Sequence, residues 1–318
     1  MTETNQPTIA RLLQSDREQV RRTLQNTGLE IDSFHSVDWL YTLRYLLICW
    51  SGVAALAVAW GMLDGAWKLL LVPFIAILQH AMLNVVHEAS HYSLLKDKRW
   101  NDRVANLFAA LPLGHTVASY RMTHNDHHNY LRTLKDPSSY VSRPDLTTSE
   151  IRRTLFFLLC GRLIWELLAR SLLGRRFETD AAADEALMKT TDRGRLIANL
   201  CFQFLALAFW YSIGMVGFWI AWLFIVMTLT PVLDGLRTIV EHRMQPGLDV
   251  PFHTRTHHRN IVVSGLMAPL FQYHWEHHLF PAIPHHQLAE LHKTLIGLDV
   301  KGAKPVDTGF FGTLWQLT

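Results

Sequence analysis

Four apolar runs, each close to the roughly 20 residues that cross about 30 Å of hydrocarbon, constrain this chain more than any other feature. The first extends from about Trp39 to Trp60 with Arg44 near its start, and the second from about Leu69 to Val86, after a short turn over Gly61 to Lys68. The other pair lies at about Leu196 to Ile213 and Phe218 to Leu233, joined by a turn near Gly214 to Gly217. The pattern predicts four transmembrane helices in two hairpins. Val104 to Gly114 is also apolar, but it is too short to span and contains Pro112, which fits an interfacial or re-entrant piece. Ile151 to Gly174 is long enough, yet it carries Arg152, Arg153, Arg162, Glu166 and Arg170. The last three recur every four residues, the stripe of a helix lying in the membrane surface. The expected fold is all-α and multi-pass, with residues 1–38 as a polar N-terminal arm or surface helix and 39–318 as one membrane domain.

Basic residues set the expected orientation. The first short loop has only Lys68 at its edge and the turn near Gly214 has no Lys or Arg, while the N-terminal arm, residues 92–195 and the C-terminal region hold nearly all the rest. The positive-inside rule then puts both termini and the long middle loop in the cytoplasm. A net charge of +3 is too small to point to nucleic acid. Cys49, Cys160 and Cys201 lie in apolar stretches and form no CxxC pair, which argues against a disulfide scaffold or an iron–sulfur centre.

The chain has 18 histidines, and most are clustered. The first cluster is His87-Glu88-Ala89-Ser90-His91, the second His124-Asn125-Asp126-His127-His128, and the third His274-Trp275-Glu276-His277-His278. Residues three or four apart share a helix face, so each cluster can offer two or three imidazoles to a common centre. Taken alone, HEASH is also a zinc-protease pattern with Glu88 as base, and the other two could be polar surface clusters. Together the clusters supply eight imidazoles on one expected side of the membrane. A single zinc takes about four ligands, so two metals are indicated. Imidazole suits iron, zinc, copper and nickel alike, and leaves the metal open.

The clusters HEASH, HNDHH and HWEHH, in this order, resemble those of the membrane fatty-acid-desaturase and carotenoid-hydroxylase/ketolase superfamily. The similarity runs from His87 to about His292 and includes Asp136-Pro137 and the stretch His277-His278-Leu279-Phe280-Pro281-Ala282-Ile283-Pro284-His285. The resemblance implies a di-iron site carried by a cytoplasmic helical cap, with two iron ions, O₂ as co-substrate and a hydrophobic, lipid-like substrate. It implies a ninth ligand near the end of the fourth crossing, where Glu241-His242 fits. The implied ligands are thus His87, His91, His124, His127, His128, His242, His274, His277 and His278, with no catalytic residue apart from them. Acyl-CoA desaturases, more distantly similar, have an Asn where Thr238 stands, and Glu241 is a candidate ligand or partner instead. Asp126, Asp136 and Glu276 are candidates to orient ligand imidazoles; His80 is too far along its helix to reach the same metal. With no haem-binding HPGG segment in the chain, electrons are expected from a separate ferredoxin, rubredoxin or cytochrome b5. Desaturation of a fatty-acyl or other lipophilic chain is the leading expectation, and hydroxylation or ketolation of a carotenoid or small metabolite the alternative. An intramembrane zinc protease and a metal transporter are the competing classes.

Overall fold

The computed structural model describes residues 9–131, 133–143, 145–162, 165, 193–243, 254–257, 272–304 and 309–317. Among them the only β-pairing is an isolated bridge between Thr256 and Tyr273; the rest is helices and connections. Four helical stretches are long and apolar enough to cross a membrane: Ile31–Met62, Gly65–Ser90, Arg193–Ser212 and Val216–His242. Their principal helices are α2 (Trp39–Met62), α3 (Val72–Ser90), α7 (Arg193–Ser212), α8 (Val216–Met227) and α9 (Leu229–His242). The elements between and around them are α1 (Ile9–Gln25), α4 (Lys98–Ala105), α5 (Val117–Tyr130), α6 (Thr148–Leu159), α10 (His274–Leu279) and α11 (His285–Gly297).

Local chemistry sets several helix starts. The Asp38 side chain accepts from Leu40 N and opens α2, and Asp97 accepts from Arg99 N and Trp100 N at the head of α4. Thr116 and Ser119 form a capping box on α5, as Thr147 and Glu150 do on α6. The apolar segment 104–114 is irregular, as its length and Pro112 lead one to expect: α4 passes into a wide turn over Asn106–Ala110 and a tight one over Leu111–Leu113. The polar stripe of Arg162, Glu166 and Arg170 lies largely outside the described residues.

The fourth crossing runs further than its apolar run. It breaks at Thr228 (φ −124°, ψ −77°) and resumes as α9 as far as His242. Pro231, three residues on, has no N–H to return to the preceding turn. Gln79 of α3 bridges the break: its amide nitrogen donates to the Trp222 carbonyl before it at 2.8 Å, and its oxygen accepts from the Thr230 hydroxyl after it at 2.6 Å. At the break itself the Thr228 hydroxyl donates to the Phe224 carbonyl at 2.8 Å, satisfying a backbone group of the ending helix where a bilayer would offer no water.

Two large apolar cores stand out among the described residues. The larger joins α2, α3 and α8 through Val53, Ala57, Ile75, Met82, Phe218 and Trp222. Around it Ile48, Met62, Leu200, Phe204, Leu205 and Phe224 stay exposed, a continuous apolar exterior suited to lipid. The second core joins Leu13, Val20 and Leu24 of α1 to Trp275, Leu279, Phe280, Ile283 and Leu291 of the C-terminal region. Helix α1 is therefore packed against the segment bearing the third histidine cluster.

Candidate metal centre

All nine histidines named above converge, in two groups. His87, His91, His124, His128 and His277 form one, and His127, His242, His274 and His278 the other; within each, one donor nitrogen per residue lies within 4.8 Å of the rest. The split follows a rule. In the second cluster the first and fifth positions, His124 and His128, turn to the first group while the fourth, His127, turns to the second. The third cluster does the reverse, sending His274 and His278 to the second group and His277 to the first. The first group is completed from the end of α3, the second from the end of α9.

The imidazoles face one another through Nε2. His124 and His128 approach to 3.0 Å and His128 and His277 to 3.2 Å. In the other group His127 and His242 approach to 3.2 Å, His242 and His274 to 2.8 Å, and His274 and His278 to 3.1 Å. A neutral imidazole has one donor and one acceptor nitrogen, so such rings of Nε2 atoms cannot all be hydrogen-bonded to one another. A metal–nitrogen distance of about 2.1 Å separates ligand atoms by about 3.0 Å across a right angle and about 3.4 Å across a tetrahedral one. The observed edges, from 2.8 to 3.2 Å, are those of donors that can share one metal ion, and five donors in one group exceed what a tetrahedral ion takes. The size of the first group suits a metal of five- or six-fold coordination.

Electrostatics keep these donors ready. Burial, reinforced by the surrounding imidazoles, holds the pKa of His124, His128, His274, His277 and His278 well below the ordinary histidine value; for His274 the Arg237 guanidinium is the next cause after burial. His91, desolvated in the same way although Glu88 pulls in the other direction, is lowered to about 4. Neutral imidazole is the form that binds a metal. Three buried carboxylates stand around the nine rings. Asp136 Oδ1 lies 2.9 Å from His127 Nδ1, fixing the ring whose Nε2 faces the second group. Glu241 Oε2 lies 3.4 Å from His274 Nε2 and accepts from Arg237 Nε at 3.0 Å. Glu88 Oε1 sits 2.8 Å from His285 Nδ1, and Glu88 Oε2 accepts from the His285 backbone N–H.

Other candidates go elsewhere. Glu276 turns to the Thr256 hydroxyl at 2.5 Å and to His292 Nδ1 at 2.6 Å rather than orienting a clustered imidazole. His80 is buried 3.9 Å from Asp234 and joins neither group. His257 is buried, while His253 and His258 fall outside the described residues. The pairing of Glu88 with His285, whose ring stacks on His87 at 5.1 Å, was not visible in the sequence. Only the closeness of His285 to the third cluster hinted at it. That pairing also occupies the carboxylate a HEASH protease would use as its base.

Comparison with known proteins agrees with this architecture. A family model for fatty acid desaturases matches residues 65–308, a span that holds every residue of both groups. The dihydrorhizobitoxine desaturase of Bradyrhizobium elkanii is 26% identical over 260 residues, which cover 76% of this chain and 69% of that protein. The β-carotene ketolase of Haematococcus lacustris is 24% identical over 216 residues, or 64% of this chain and 55% of the ketolase. With its four membrane-length helices and histidine clusters able to hold metal ions, the chain belongs to the fatty acid desaturase family.

Proposed function

We propose that the protein is an O₂-dependent di-iron desaturase in which the nine clustered histidines hold two iron ions. The observation that carries this reading is the sorting of three clusters and His242 into two facing groups of five and four imidazoles, the first larger than a closed four-coordinate zinc site takes. Two ferrous ions, with dioxygen and two external electrons, supply an oxidant able to take hydrogen from an unactivated C–H bond. The chain's residues do the rest. Asp136 sets the ring orientation of His127, Arg237 holds Glu241 beside His274, and burial excludes water from the rings. Asp136, Glu88 and Glu241 supply negative charge that the neutral imidazoles lack, offsetting the cations in a low-dielectric setting.

The substrate is a fatty-acyl or other lipophilic chain that reaches the site from the bilayer. Residues 39–318 act as one membrane domain of two hairpins, with the termini and the site on the cytoplasmic side, where a separate ferredoxin, rubredoxin or cytochrome b5 delivers electrons. Hydroxylation or ketolation is the second reading, favoured by the similarity to a carotenoid ketolase. Both reactions begin by removing hydrogen from carbon and differ in whether an alkene or an oxygenated carbon results. Expression in a lipid-defined host, with mass spectrometry of lipids and metabolites, decides between them. An O₂-dependent product that is two hydrogens lighter supports desaturation, and a gain of oxygen supports the second reading. Wild type indistinguishable from His127→Ala across substrate panels would refute both.

A further inference from the structure

The helix that carries the third histidine cluster is six residues long, too short to be stable on its own. Its last carbonyls need partners, and no glycine follows to cap it; the residue after its end, Phe280, has φ −134° and ψ 69°. The partner comes from more than 260 residues earlier in the chain. Arg17 Nε donates to the Leu279 carbonyl at 2.6 Å, and Arg17 Nη2 donates to the His278 carbonyl at 3.1 Å. A guanidinium in this place meets the negative end of the helix as well as its unpaired carbonyls. Packing sets the position of Arg17: Leu13, Val20 and Leu24 on the same helix are buried with Trp275, Leu279 and Phe280, and Arg21 lies over the Phe280 ring.

We propose that Arg17 of α1, which lies outside the family match at 65–308, is a positioning residue that locks the third histidine cluster in the orientation at which His274, His277 and His278 face both groups. The inference rests on the proposed ligand roles of those three histidines, but the bond to their helix can be tested without metal. His278 lends its backbone to Arg17 and its ring to the second group, so a shift of α10 turns ligands of both groups together. Helix α1 is thereby a working part of the metal centre.

The test uses the full chain in detergent or nanodiscs, as wild type, Arg17→Ala, Arg17→Lys and Arg22→Ala. Arg22 is exposed on the same helix and its side chain reaches only Glu18 among the described residues, so it serves as the control. Backbone hydrogen exchange is followed in metal-free protein, and the iron signal by Mössbauer spectroscopy after growth on ⁵⁷Fe. In Arg17→Ala, exchange over residues 274–280 should rise about tenfold or more with α3 and α5 unchanged, because local opening reports local stability. Iron retention should fall about tenfold, as for other groups that orient ligands, with an altered quadrupole doublet. Arg17→Lys keeps the charge and one donor, and should recover part of both. If Arg17→Ala does not accumulate, Arg17→Lys carries the test, with a smaller change of the same pattern expected. Wild-type exchange and spectrum in the Arg17 variants, or loosening spread evenly over the chain and shared by Arg22→Ala, would overturn the proposal. Failure of wild type to hold iron would instead count against the proposed function, while the exchange comparison would still decide the role of Arg17.

Discussion

Asp136 illustrates how a residue can act on the proposed metal site without entering it. Its carboxylate is buried, accepts from the Ser138 backbone N–H at 2.8 Å, and faces His127 Nδ1 at 2.9 Å. The ring is thereby left with a lone pair on Nε2. Replacing Asp136 with Ala should lower iron affinity or activity by about 10–100-fold, the usual cost of losing such a partner. Asp136→Asn keeps an acceptor but loses the charge and should lie between; iron titration of the purified variants ranks the three. Asp136-Pro137 was legible as a candidate because it follows the second cluster closely. The division of each HxxHH cluster was not. Spacing shows that the first, fourth and fifth positions crowd one side of a helix, but which ring meets which centre depends on how α10 crosses α5, and that is set by residues far off in sequence such as Arg17.

At the scale of elements, apolar runs marked α2, α3 and α7 to within a few residues, because water is absent from a bilayer and composition there must follow depth. The fourth was cut short near Leu233, since Asp234, Arg237 and Glu241 read as the end of a span. In the folded chain Arg237 pairs with Glu241 one turn away at 3.0 Å and with Asp234 at 3.6 Å, so the helix carries its charges inward as far as His242. The break at Thr228 depends on Gln79 in the same way. Gln79→Leu removes the bonds to the Trp222 carbonyl and to the Thr230 hydroxyl and should cost about 1–3 kcal/mol. Thermal unfolding in detergent would show this as a lowered midpoint, and Thr230→Val added to it should cost less than it does alone. Gly302 is a second point of close fit: a Cβ there would run into the Trp275 ring, so Gly302→Ala should loosen α10 while sparing the membrane helices.

Across the whole molecule, the proposed metal centre lies between the two large cores, which are also linked by Glu88 with His285 and by Tyr41 with His286. α3 and α9 reach it from the larger core, and α10 from the smaller one that α1 completes. Chelation should therefore lower the unfolding midpoint and expose the α10–α11 segment to protease before the membrane helices, and iron should restore both in a concentration-dependent way. A chelated protein with an unchanged midpoint would contradict this. The crossed assignment of the second and third clusters carries a further consequence. Because α5 and α10 each feed both groups, an ion settling in the first group through His124, His128 and His277 fixes the two helices that bear His127, His274 and His278. Three of the four donors of the second group are then already in place, and the entropy of ordering them has been spent once for both ions. Loading should be cooperative: at half the stoichiometric iron, molecules should divide into empty and doubly filled, with few holding a single ion.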